Sequence, residues 1–216
     1  MTFEKLFALL MQVALIETPV LEDGQEKHVR YIDGMREMAK LYVEVGSAGE
    51  LISADADVLL LAVIGYGESR HQPRVKDGDC HPTLDGDPHC AATGPMQLHK
   101  GNGRVLANID PTWKGTTAKD LRDPRTSVRG AYRLLRFYKE TCPEGGPAGW
   151  LSAWAAGQCF HRAIPIGSGR CVMARALGKA AGVEVKGCEN AKTDNKRFLR
   201  IERVLSGEPA KKETTK

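Results

Sequence analysis

The run Val58-Leu59-Leu60-Leu61-Ala62-Val63-Ile64 constrains this chain more than any other feature. Seven consecutive apolar residues leave no polar side at the helical or the strand period, so the segment has to be covered all round. Ser53 upstream supplies an N-cap oxygen, and Asp55 and Asp57 fall where a first helical turn carries its positive end. The spacing predicts a helix capped at Ser53 and buried at the centre of the fold. A chain of 216 residues is long enough to enclose it in one domain. No apolar stretch approaches the roughly 20 residues of a bilayer-spanning helix.

The other periodic segments are nearly all helical. Phe3, Leu6, Phe7, Leu10, Val13 and Ala14 share one face of a first amphipathic helix. Leu6 to Ile16 also resembles the apolar part of a signal peptide, but Glu4 weakens the basic start and no A-x-A site follows, so the helix is the preferred reading. Val29, Ile32, Met35, Ala39 and Tyr42 mark a second helix ended by Gly46. Residues 71 to 125, rich in Gly, Pro and Asp, read as an irregular region able to line a groove. Beyond Asp123-Pro124, Thr126 or Ser127 is expected to cap a helix with Val128, Ala131, Leu134, Leu135 and Tyr138 on one stripe. A short helix through Trp150, Leu151 and Trp154 follows, then two more over 168–181 and 191–205. The expected fold is mainly α, with little or no sheet. Residues 1–50 form a helical extension packed on the core, 51–206 the main domain and 207–216 a disordered tail.

The formal net charge is only +4, which favours an anionic partner without selecting one. Lys192, Lys196, Arg197, Arg200 and Arg203 cluster near the last helix and read as a solvated face, so nucleic acid is not the expected partner. Cys80, Cys90, Cys142, Cys159, Cys171 and Cys188 make an even count without any C-x-x-C pair. Cys80-His81 and His89-Cys90 bracket a short loop. A Cys80–Cys90 disulfide is favoured there over free thiols or zinc, because adjacent residues rarely both reach one metal. The remaining pairing stays open, and the compartment is expected to be oxidising.

Glu68 is the residue with the clearest chemical potential. It is placed just after the apolar helix, in Gly65-Tyr66-Gly67-Glu68-Ser69-Arg70. Low-polarity surroundings and the negative end of the helix dipole both favour its protonated carboxyl, the form that protonates a leaving oxygen. Arg70 is close enough in sequence to pair with it and oppose that effect. Gly65 and Gly67, lacking side chains, would let a bulky ligand approach the backbone.

Four segments occur in a particular order: Glu68-Ser69 with Pro73, then Ala92-Thr93-Gly94-Pro95-Met96-Gln97, then Gly130-Ala131-Tyr132 after Leu121 and Asp123-Pro124, then Ala153-Trp154-Ala155-Ala156-Gly157. Together they resemble the lytic transglycosylase and goose-type lysozyme group, lysozyme-like enzymes that cleave peptidoglycan. That group carries E-S-x-F-x-P, G-A-x-G-L-M-Q and A-Y-N-A-G. The likeness spans about residues 55 to 160, and each motif alone is weak. It implies a lysozyme-like helical domain acting on peptidoglycan glycan strands as a monomer, outside the cytoplasm, without cofactor or metal. Glu68 would be the catalytic acid and base. Ser69, Met96, Gln97, Tyr132 and Trp154 would bind substrate, Gln97 through sugar hydroxyl or acetamide groups and Trp154 by stacking.

The departures are His71 for the group's Phe, Pro95 for its Leu and Ala155 for its Asn. Asp77, Asp79, Asp85 and Asp87 lie between the first two motifs. A hydrolase of the inverting type needs a second carboxylate about 6.5–9.5 Å from the acid, and Asp85 or Asp87 is the candidate. Without it the resemblance implies a transglycosylase closing a 1,6-anhydro ring. A module that binds the wall without cutting it is the remaining alternative.

Overall fold

The computed structural model describes residues 1–17, 25–71, 92–99, 106–156, 159 and 164–208. Eight α-helices order these residues: α1 (Phe3–Glu17), α2 (Gln25–Gly46), α3 (Ala54–Ser69), α4 (Ala118–Leu121), α5 (Pro124–Thr141), α6 (Gly146–Ala156), α7 (Ile164–Ala181) and α8 (Lys196–Leu205). Between α3 and α4 a two-strand hairpin, β1 (Ala92–Thr93) and β2 (Leu98–His99), pairs antiparallel with Thr93 opposite Leu98. A helical turn at 106–109 and a 3-10 turn at Pro111–Trp113 complete the connection. The fold is mainly α, as the periodicities require.

The apolar run sits where its composition demands. Every residue of α3 from Ala56 to Tyr66 is buried, with α2, α5 and α7 packed around it. Leu6, Leu10 and Val13 of α1, Met35 and Tyr42 of α2, and Leu177 of α7 belong to the same buried cluster. Ser53 caps α3 as expected, accepting from the Ala56 amide. Asp57 is fully buried. Its carboxylate accepts from the Leu51 and Ile52 amides, both at 2.8 Å, and from the Tyr132 hydroxyl at 2.6 Å. Three donors on one buried carboxylate tie the 47–53 loop and α5 to the first turn of α3.

Several boundaries differ from the sequence reading. α3 continues through Gly65 and Gly67 to Ser69, so Glu68 lies within its last turn rather than after it. The helix stops at Arg70, whose left-handed backbone (φ 55°) turns its amide back to Gly65 and Tyr66. α5 is capped by Asp123, not by Thr126 or Ser127. Asp123 Oδ2 accepts from the Thr126 amide at 2.7 Å and Pro124 fills the first helical position, where its missing N–H costs nothing. Ser127 is buried, and its Oγ instead accepts from the Met96 amide at 3.2 Å, fixing the hairpin to α5. α7 starts at Ile164, before residue 168. α8 starts at Lys196 rather than 191, because Asn195 Oδ1 takes the Arg197 amide.

Two disulfides are present among the described residues. Cys142–Cys159 spans α6, and Cys171–Cys188 ties α7 to the loop after it, each with a sequence separation of 17. Cys80 and Cys90, and with them the expected bridge, lie outside the described residues, as do 209–216 of the expected tail. Among the described residues no helix is long and apolar enough to cross a membrane.

Candidate active site

The last turn of α3 presents Glu68 to α6 and α7. Its Oε1 accepts from Arg170 Nη2 of α7 at 2.6 Å and from Trp154 Nε1 of α6 at 3.2 Å. The Glu68 side chain is 21% exposed and that of Arg170 only 10%. Both donors meet on one oxygen. Oε2 has no hydrogen-bond partner among the described residues. The site therefore holds a half-buried carboxyl by one oxygen and leaves the other for chemistry.

Glycine positions create this geometry. A Cβ on Gly67 would lie 3.3 Å from Arg170 Nη2, so the absent side chain lets the guanidinium rest against the α3 backbone. A Cβ on Gly167 would overlap the Ala148 carbonyl and Ser152 Oγ, which is why α7 can come close to α6 and bring Arg170 beside Trp154. A Cβ on Gly65 would overlap the Tyr42 hydroxyl. The space at Gly65, expected to admit a ligand, is thus filled by Tyr42, whereas Gly67 is exposed with Arg170 beside it. The apolar surroundings expected for Glu68 are likewise replaced by an ion pair, and its guanidinium comes from Arg170.

Beneath the site Tyr42 Oη and His71 Nδ1 lie 3.2 Å apart, with His71 fully enclosed. Burial lowers the His71 pKa to about 3, so the imidazole is neutral at ordinary pH. Arg70 and His71 both adopt positive φ, 55° and 61°, a strained pair for residues with side chains. Arg70 Nη1 and Arg197 Nε donate to the Tyr66 hydroxyl at 3.1 and 2.9 Å, and both guanidiniums lie over the Tyr66 ring. Arg197, read as part of a solvated face, is therefore a packed residue.

Of the described residues singled out in the sequence, Trp154 alone is brought onto Glu68 by a hydrogen bond. Ser69 is buried, and its hydroxyl donates to the Gly65 carbonyl at 3.0 Å. Met96 is wholly in the core. Gln97 lies in the hairpin turn at φ 48°, its Nε2 donating to the Gly94 carbonyl at 2.8 Å. Gly94 itself has φ 70°, and a Cβ there would overlap the Leu121 carbonyl. Tyr132 bonds Asp57 in the first turn of α3, and Asp57 is eleven residues, roughly 16 Å of helix, from Glu68. Asp77, Asp79, Asp85 and Asp87 lie outside the described residues.

Arg170 is the residue the sequence reading missed. Its signal is Gly167-Ser168-Gly169-Arg170, where small residues within a helix mark a close crossing. A Cβ on Gly169 would press on the Phe198 ring at 2.7 Å, so both glycines have neighbours that exclude a side chain. Among the described residues no group of three or more His, Cys, Asp or Glu side chains is placed to hold a metal. Compared with protein-family models, with curated proteins and with solved structures, the chain finds no match in any of the three.

Proposed function

We propose that this chain is a lysozyme-like lytic transglycosylase that cleaves the β-1,4 bond between N-acetylmuramic acid and N-acetylglucosamine in peptidoglycan, with Glu68 as its acid and base. The observation that carries the reading is the state of the Glu68 carboxyl: half-buried at the end of the central helix, fixed through Oε1 by donors from two other helices, and unengaged at Oε2. A proton donor needs a set orientation and an accessible oxygen, and this carboxyl has both. The ordered motifs around Glu68, Gly94–Gln97 and Trp154 supply the substrate class.

In this mechanism the Glu68 proton passes from Oε2 to the bridging oxygen as the C1–O bond breaks and its electron pair leaves with that oxygen. The substrate's acetamide group stabilises the cationic carbon. The ionised Oε2 then takes the proton of the muramic 6-hydroxyl as O6 bonds to C1, which closes the 1,6-anhydro ring. No water enters, and Glu68 ends protonated as it began. The two disulfides suit an oxidising compartment such as the periplasm or cell exterior, where peptidoglycan is found.

The test is release of soluble muropeptides from purified peptidoglycan by the wild type and by Glu68→Gln, an isosteric change that removes the titrating oxygen. The reading requires anhydro-ended products from the wild type and at least a hundredfold less, on the order expected for a lost acid–base group, from the variant. Reducing-end products would assign a muramidase and direct attention to Asp85 and Asp87. Binding to the wall without product from either protein would replace catalysis by a binding module.

A further inference from the structure

Arg170 lies 102 residues from Glu68 in the chain, yet its Nη2 makes the shorter of the two bonds to Oε1. An arginine that only balances a carboxylate commonly uses both arms of its planar fork. Arg170 uses one. Its Nη1 is buried without an acceptor among the described residues, an arrangement whose energetic cost asks for an explanation. The buried position of Nη1 also turns it away from a dissolved ligand. What the guanidinium does accomplish is to place its charge and one N–H on the same oxygen as the Trp154 indole, leaving Oε2 alone.

We propose that Arg170 is a positioning residue for the Glu68 reaction: with Trp154 it immobilises Oε1, so that the proton is carried, given and taken back at Oε2, and it compensates the negative charge that Glu68 acquires in between. The inference rests on the reading of Glu68 as acid and base. When the Oε2–H bond breaks, its electron pair stays on Glu68 facing a cation already in place. When the 6-hydroxyl proton arrives, that charge is cancelled. The protons of Arg170 and Trp154 remain where they are throughout. An orienting group of this kind acts on the chemical step and not on ground-state binding, because it touches Glu68 and not the substrate.

The test uses the full oxidised chain and compares wild type, Arg170→Met and Arg170→Lys on peptidoglycan. It also follows the indole N–H resonances of Trp113, Trp150 and Trp154 by NMR. Arg170→Met is expected to lower kcat about a hundredfold, with KM within about threefold, since a slightly misplaced catalytic group costs that much. The Trp154 indole resonance should move with it while those of Trp113 and Trp150 stay. Arg170→Lys, which keeps the charge and one donor, should recover at least about tenfold of the lost kcat. If Arg170→Met does not fold, Arg170→Gln takes its place, keeping a neutral donor.

An unchanged kcat, or a raised KM with kcat preserved, would overturn the proposal. So would product formation with a Trp154 resonance indifferent to Arg170, which would leave Glu68 as acid and base intact. A wild type that releases no product overturns the role along with the function. A Trp154 resonance that still answers to Arg170 would then mark the contact as structural only.

Discussion

Tyr132→Phe removes one hydroxyl that does two things at once. The group donates to Asp57 Oδ2 at 2.6 Å and accepts from the Glu50 amide at 2.8 Å. Burial, and then the bond to Asp57, hold the phenol well above its ordinary pKa, so the oxygen remains a donor throughout the accessible pH range. A hydrogen bond to a buried carboxylate contributes about 1.5–3 kcal/mol, and the part-buried Glu50 amide loses about 1 kcal/mol more. Asp57 keeps its two backbone donors, which limits the damage. The expected loss is about 3 kcal/mol, or a fall in Tm of about 6–12 °C for a chain of 216 residues. Urea denaturation of wild type and variant at pH 7, followed by far-UV circular dichroism, measures it. Unchanged stability together with a raised KM for peptidoglycan would refute the reasoning and move Tyr132 from the fold into the substrate groove.

Three further changes test other parts of the structure. Because His71 stays neutral down to about pH 3, the unfolded chain alone takes up its proton below the ordinary value of 6.5. Native stability should therefore fall by up to about 1.4 kcal/mol per pH unit between 6.5 and 3 on account of this residue. His71→Phe removes that slope, so the wild type's denaturant midpoint should fall steadily relative to the variant's through pH 7, 6, 5 and 4; parallel profiles would contradict the burial. Gly167→Ala sets a methyl on the Ala148 carbonyl and should cost on the order of 1–3 kcal/mol by thermal melting, with a matching loss in activity as α7 carries Arg170 away from Glu68. Each disulfide, its cysteines 17 positions apart in the chain, should contribute about 3 kcal/mol, so Cys171→Ser with Cys188→Ser lowers the denaturant midpoint and leaves the variant's activity indifferent to further reduction at that bridge.

The parts of this fold legible in the sequence are those set by local chemistry. Val58–Ile64 has no polar side at any period, so its burial follows from composition alone, and Ser53 at its head is an unambiguous cap. Asp123-Pro124 contained the start of α5, but Thr126 and Ser127 offered competing hydroxyls. Only the structure shows Ser127 turned inward to the Met96 amide. Glu68 was legible because of what precedes it. Its partner was not, because an ion pair between residues 102 apart leaves no local pattern, and the nearer Arg70 was the natural guess. Gly65 and Gly67 read in the sequence as places where a ligand could approach the backbone; Tyr42 occupies the space at Gly65, and Arg170 lies beside the exposed Gly67. Tyr132, a position of the third motif, hydrogen-bonds Asp57 in the first turn of α3, at the opposite end of that helix from Glu68.

The central claim is that Glu68 cleaves the glycan by internal ring closure, without water. It is tested most directly by digesting purified peptidoglycan in heavy-oxygen water and reading the muramic ends by mass spectrometry. The account predicts anhydro ends that contain no heavy oxygen, formed by the wild type and absent with Glu68→Gln. Heavy oxygen at new reducing ends would contradict it, since the attacking group would then be water and not the substrate's own 6-hydroxyl.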